Sequence, residues 1–441
     1  MNRTLLRQVR YLDPLSGIDQ VGDVLMADGR FAAIAPQLPE PEPDSATAII
    51  DGTGKVLLPG LIDLFSHSGE PGHESRETLG ELMAGAIAGG FTRVGILPNT
   101  VPALDNPGAI RSFLDRACDL PMDLQPHLLP WGALTHKAAG DQMTELAELA
   151  EARTWGMAGF ADGQPLPNPM LMRRLLEYSQ PLDCPIALWP CDRALAGNGV
   201  MREGMQAQLA GLPGTPVMAE TAALATVIEM VAELGTPIHV IGVSTARSVA
   251  LLDQARNQGL PITASVPWHH LLFSTADIFF PGEGVGYDPN LRFDPPLGNP
   301  ADQRALRQGV KDGVIDAIAI HHAPYTYEEK TVAFDDAPAG AIGLPVALAA
   351  LWQQLVGSGE WSALDLLRPL NLGPAGVLRV EPPRIAVGTA VEAVLFDPGV
   401  EWMVAGETLR STARNTPFLH RALQGKVMQL WKGQRSWRSY A

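Results

Sequence analysis

Hydrophobic and polar positions alternate along this chain in two textures. Over residues 4–58 short apolar stretches are punctuated by Asp/Gly and Pro/Gly, as in "LLRQVRYLD", "GDVLMADGRFAAIAP" and "ATAIIDGTGKVLLPG". These read as short strands, with "ADGR" as a hairpin turn and "EPEPDS" at 40–45 as a solvated loop. From about residue 59, strand-like runs alternate with stretches of helical spacing. "GLIDLFS" precedes "ESRETLGELMAGAIAGG", "FTRVGILPN" precedes "NPGAIRSFLDRA", and "DLQPHLLPW" precedes "AGDQMTELAELAEA". "GMAGFAD", "CPIALWP", "PIHVIGVST", "PITASVP" and "IDAIAIHHAP" continue the series, with helices predicted at 218–234 and 246–259 among them. Strands spaced by helices predict parallel pairing with right-handed crossovers. Eight such strands close a (β/α)8 barrel. A doubly wound open sheet is the alternative, disfavoured because no glycine-rich phosphate fingerprint follows a strand. After about residue 385 short β segments return. The expected architecture is therefore α/β: a TIM-type barrel over 59–384, with a small β domain formed by 1–58 and 385–441.

Composition narrows the function classes. The 441 residues are 46% hydrophobic and 18% charged, with a formal net charge of -16. That is a globular chain lacking the basic face that nucleic acids or anionic membranes need. Three cysteines with no C-x-x-C pair give no disulfide framework, which suits a reducing compartment. There is no apolar run of membrane-spanning length and no signal-peptide pattern. A cytoplasmic protein is expected.

In a barrel, chemistry sits at the C-terminal ends of the strands. The first barrel strand ends in "DLFSHSGEPG" at 63–72. A strand ending D-x-H-x-H presents two imidazoles to a metal, because positions two apart share a face. Here the first of the pair is Phe65, which has no lone pair to donate, and His67 stands alone.

The stretch at 58–105, from "LPGLIDLFSHSGEPGHESRETL" through "GGFTRVGILPNTVPALD", closely resembles the dihydroorotase family of metal-dependent amidohydrolases. The resemblance continues in "GALTHKAAGDQMTELAEL", "GNGVMREG", "VSTARSV", "VPWHHLL", "LRFDPPLG", "APAGAIGL" and "ARNTPFLHRALQGKV", and so covers nearly the whole chain. It implies an amidohydrolase barrel with a β domain built from both termini.

Carried over position by position, the resemblance implies substitutions at most functional sites. The family's first metal histidine falls on Phe65, and its second on His67. The arginine that holds a substrate carboxylate falls on Gly69; the substrate-contacting asparagine is kept as Asn99. The metal carboxylate or carbamylated lysine after the fourth strand falls near Asp162. The two later histidine ligands fall on Pro190 and Gly242. The catalytic aspartate falls on His321, and the final substrate histidine on Tyr325. In "DPPLG", Asp294 and Gly298 stand where an amide and an arginine are usual. His239 lies on the opposite strand face from 242 and reads as a buried structural histidine.

Of the ligand positions only His67 and Asp162 remain, fewer than the three protein ligands of a catalytic zinc. The expectation is accordingly a catalytically inactive member with no cofactor. As the resemblance implies for non-catalytic members, it would serve as an assembly subunit for the aspartate transcarbamoylase catalytic chain in pyrimidine biosynthesis, and would form a homo-oligomer. The alternative is a working hydrolase of cyclic amides with zinc in a rebuilt site drawn from His67, His269, His270, His321 and His322. A small-molecule sensor using His67 and Asn99 is a third reading.

Overall fold

A computed structural model describes residues 3–41, 47–278 and 286–439. Most of the "EPEPDS" stretch therefore lies outside the described residues.

The barrel is built on parallel strands β1 (Leu61–Ser66), β2 (Phe91–Ile96), β3 (His127–Pro130), β4 (Ala187–Leu188), β5 (Ile238–Val240), β6 (Ile262–Pro267) and β7 (Ala317–Ala319). β1 pairs with β2 and β2 with β3; β4, β5, β6 and β7 follow one another in the same parallel sense. The predicted fourth strand, "GMAGFAD", is short: Phe160 pairs with Gly132 on one side and Ile186 on the other, and the Ala158, Ala161 and Phe160 amides donate to the Pro130, Gly132 and Pro185 carbonyls. Asp63 closes the ring. Its Oδ1 accepts from the Ile320 amide at 2.7 Å and its Oδ2 from Ser66 Oγ at 2.6 Å. The His67 amide then donates to the His322 carbonyl at 2.7 Å. Eight strand positions thus surround one core, as the alternation of textures predicts.

The helices begin where local chemistry provides a cap. α1 (Leu79–Ala88) starts at Thr78, whose side chain and Glu81 form a capping box. α2 (Pro107–Cys118) starts at Asn106 with proline at its first turn. α3 (Met218–Leu234) ends at Gly235, whose φ of 70° suits glycine. α4 (Ala246–Asn257) is capped by Thr245.

The chain's two ends share an eight-stranded sheet. Val56–Pro59 pairs antiparallel with Ala393–Phe396, so a segment just before the barrel is stitched to one well after it. The "ADGR" hairpin forms: Ala27 pairs with Arg30, and Asp28 and Gly29 both take positive φ. Arg93, on β2, forms an ion pair with Glu392 at 2.8 Å across to this sheet. Among the described residues no helix is long and apolar enough to cross a membrane.

Candidate active site at the barrel mouth

β1 delivers the first group of side chains. Phe65 is completely buried. Its ring stacks on Trp131 at 5.3 Å between centroids and lies 5.6 Å from His239 and 5.8 Å from His321. Trp131 is held by its Nε1–H donating to the Leu64 carbonyl at 2.8 Å. An aromatic cluster therefore fills the barrel centre at the position where the resemblance places a metal histidine.

His67, two residues on, is half-buried and lies 3.0 Å through Nδ1 from Asn99 Oδ1. With the amide oxygen as assigned, Nδ1 carries the proton and Nε2 keeps a lone pair. Burial holds the His67 pKa below its usual value, against the opposing Asn99 bond, so the ring is neutral at pH 7. His67 and Asn99 share a cavity of about 110 Å³ with Arg76 and Tyr325. Arg76 sits 4.9 Å over the Tyr325 ring and pairs with Glu329. Sequence reasoning missed Arg76; no spacing rule singles it out, because it enters the cavity from the loop before α1.

Two glycines that stand where the resemblance has arginine are closed to any side chain. A Cβ on Gly69 would lie 2.4 Å from the Glu77 carbonyl oxygen. One on Gly298 would lie 2.5 Å from Asp302 Cβ and 3.0 Å from the Ser244 carbonyl oxygen. Gly242 takes a φ of 74°, a backbone conformation that strains any side chain, with Pro295 and Trp189 at ordinary contact distance. Pro190 is buried.

Most of the remaining candidates are spent on structure. Asp162 is buried and accepts from the Thr135 amide at 3.0 Å and Thr135 Oγ1 at 2.6 Å. Burial raises its pKa to about 6 despite those bonds. His322 Nδ1 accepts from the Gly343 and Leu344 amides, so its Nε2 donates to Glu77 at 2.9 Å. His269 stacks on Phe293 at 3.7 Å between centroids. His270 Nε2 lies 3.3 Å from the Pro296 carbonyl. His239 is buried, with Nδ1 2.9 Å from Thr263 Oγ1. His321 takes a φ of 48° and buries an unpartnered Nε2; burial depresses its pKa to about 3.

Comparison with known proteins places this architecture. A model of the family described as dihydro-orotase-like matches residues 54–248. A probable dihydroorotase-like protein of Synechocystis is 43% identical, over 96% of this chain and 98% of its own. The chain belongs to the dihydroorotase-like family. The dihydroorotase of Pelotomaculum thermopropionicum is 36% identical over 96% of this chain and 95% of its own. An L-hydantoinase (dihydropyrimidinase) from Arthrobacter aurescens superposes with a TM-score of 0.83 at 20% identity, covering 99% of this chain and 96% of its own. That likeness carries the fold.

Two expectations are corrected by these findings. The chain is not to be read as a non-enzyme: relatives over a third identical along nearly its whole length are named dihydroorotase. The expectation of no cofactor falls with it, because the relatives are named dihydroorotase, the family for which the resemblance implies a metal. The family's ligand pattern is nonetheless not what these residues form. Among the described residues no group of three or more His, Cys, Asp or Glu side chains is arranged to hold a metal ion. The five histidines of the rebuilt site do not converge, since His269, His270 and His322 each turn to a different partner. The residues present do not fit a family-type zinc site, and the chemistry below is derived from the side chains alone.

Proposed function

We propose that this dihydroorotase-like protein is a hydrolase of small cyclic amides or ureides, acting in the cytoplasm from a rebuilt barrel mouth. The observation that carries the reading is the His67–Asn99 pair, which leaves a neutral imidazole lone pair at the C-terminal end of a barrel strand. A general base needs that protonation state near its operating pH. In this reading Nε2 takes a proton from water as the oxygen adds to the ring carbonyl. It returns the proton to the ring nitrogen as the C–N bond breaks. Arg76 supplies positive charge for an anionic substituent, in place of an arginine at the closed position 69. The cavity of about 110 Å³ suits a single small heterocycle.

The test is turnover of dihydroorotate, hydantoin and dihydrouracil by purified protein, with zinc measured on the same preparation. Turnover that falls at least about a hundredfold in His67→Ala is expected. The base form is lost as pH falls through the lowered His67 pKa, so activity declines on the acid side. No turnover of any of the three would overturn the reading.

We also propose association with an aspartate transcarbamoylase catalytic chain and with further copies of this chain. The family resemblance suggests it, and Met205 and Leu209, four residues apart on one short helix and each 74% exposed, support it. Large apolar side chains grouped on a surface mark interaction sites. Gel filtration with the transcarbamoylase at micromolar concentration tests this, and separate elution refutes it.

A further inference from the structure

A cavity of about 620 Å³ lies where α2 ends and β3 begins, at the face of the barrel opposite the strand ends that carry His67. The helical turn Ala152–Trp155 closes one side. The hairpin joining Ala422–Lys432 to Arg435–Arg438 closes another. The volume is in the range of small-molecule sites. Leu114, Leu124, Leu128 and Trp155 give the cavity an apolar wall. Its charges are Lys432 and Arg435. Among the described residues no aspartate or glutamate lines it, in a chain of net charge -16.

Lys432 and Arg435 are direct cross-strand partners in the hairpin. Such partners share a face, and like charges placed so repel. Among the described residues neither has a carboxylate within ion-pair distance. Glu392, which acts on Lys432 from further off, is spent on Arg93 at 2.8 and 2.9 Å and on Thr92 at 2.6 Å. Lys432 gives one N–H to the Gln125 carbonyl at 3.0 Å, which leaves two. Burial lowers its pKa to about 8 against the pull of Glu392, and Arg93 and Arg435 add to the fall. Two adjacent cations without a counter-charge, set against an apolar wall, suit an anion that buries an apolar body.

We propose that this cavity is a ligand site for a small aromatic anion. Its negative head lies between Lys432 and Arg435, and its flat apolar body lies against Leu114, Leu128 and Trp155. Carboxylate and phosphate heads share that chemistry. The site is separate from the barrel mouth and does not depend on turnover at His67.

The experiment titrates the full chain with naphthoate and with naphthyl phosphate by calorimetry. Naphthamide, which lacks the charge, and inorganic phosphate, which lacks the ring, are the comparisons. Cys118 is an exposed thiol on the cavity wall, and bound ligand should slow its alkylation by iodoacetamide. Saturable binding of an aromatic anion is expected, weakened at least about fivefold in Arg435→Gln. Arg435 is exposed, so this variant should unfold at the same urea midpoint as the parent, and it carries the decision. Trp155→Ala should weaken binding likewise. Tighter naphthoate assigns a carboxylate head and tighter naphthyl phosphate a phosphate head; either supports the site. Naphthamide binding as tightly as naphthoate, or inorganic phosphate as tightly as the aromatic anions, would overturn the assignment. So would affinity unchanged in Arg435→Gln, no protection of Cys118, or no saturable binding at millimolar concentration.

Discussion

Phe65→Ala tests whether the barrel centre is held by packing. Phe65 is wholly buried, and its ring meets Trp131, His239 and His321. Truncation removes the ring's transfer free energy and leaves a cavity that rigid strand backbones cannot close. Core Phe→Ala changes of this kind cost about 3–5 kcal/mol. Loss of the stacked Trp131 pair belongs within that figure, as its most orientation-dependent part. Phe65→Leu refills most of the volume and should cost no more than about 1.5 kcal/mol. Both variants are measured by urea unfolding, followed by circular dichroism and tryptophan fluorescence. Coincident transitions are required before a free energy is taken. A loss below about 1 kcal/mol for Phe65→Ala would refute the packing argument. So would a Phe65→Leu variant as damaged as the alanine.

Other perturbations follow from the same geometry. Gly69→Ala drives a Cβ into the Glu77 carbonyl oxygen and should cost about 1–3 kcal/mol in the same assay, whereas a neutral result would mean the loop yields freely. Glu77→Ala strands the His322 Nε2–H and the Ser411 hydroxyl. It should cost about 3 kcal/mol, and recovery of about half in Glu77→Gln, which still accepts, would separate the bond from the volume. His239 titrates at about 3 when folded, against 6.5 unfolded. The unfolded chain therefore binds more protons between those values, and stability falls as pH drops through that window. His239→Leu should flatten the dependence there by about 1.4 kcal/mol per pH unit; an unchanged slope would contradict the buried neutral imidazole.

Much of the fold was legible because periodicity is local. The α3 limits and the "ADGR" hairpin need only neighbouring residues to be recognised. The strand at 156–162 is where its apolar pattern places it, but short: backbone bonds of Ala158, Gly159, Phe160 and Ala161 join it to the chain at 130–132 and 185–187. The site divides in the same way. That Phe65, Pro190, Gly242 and His321 depart from the family pattern is what the resemblance implies from the sequence.

What the sequence by itself determined is the order of elements, the family, and which side chains stand at the strand ends. Only the tertiary structure decided what those side chains do. It turned Asp162 to Thr135 and His322 to Glu77, and spread the histidines among separate partners. It brought Arg76 into the cavity beside His67, from a loop whose path no periodicity encodes. The physical reason is range. Helix and strand patterns come from contacts a few residues apart, whereas a site is set by hydrogen bonds and packing between distant segments.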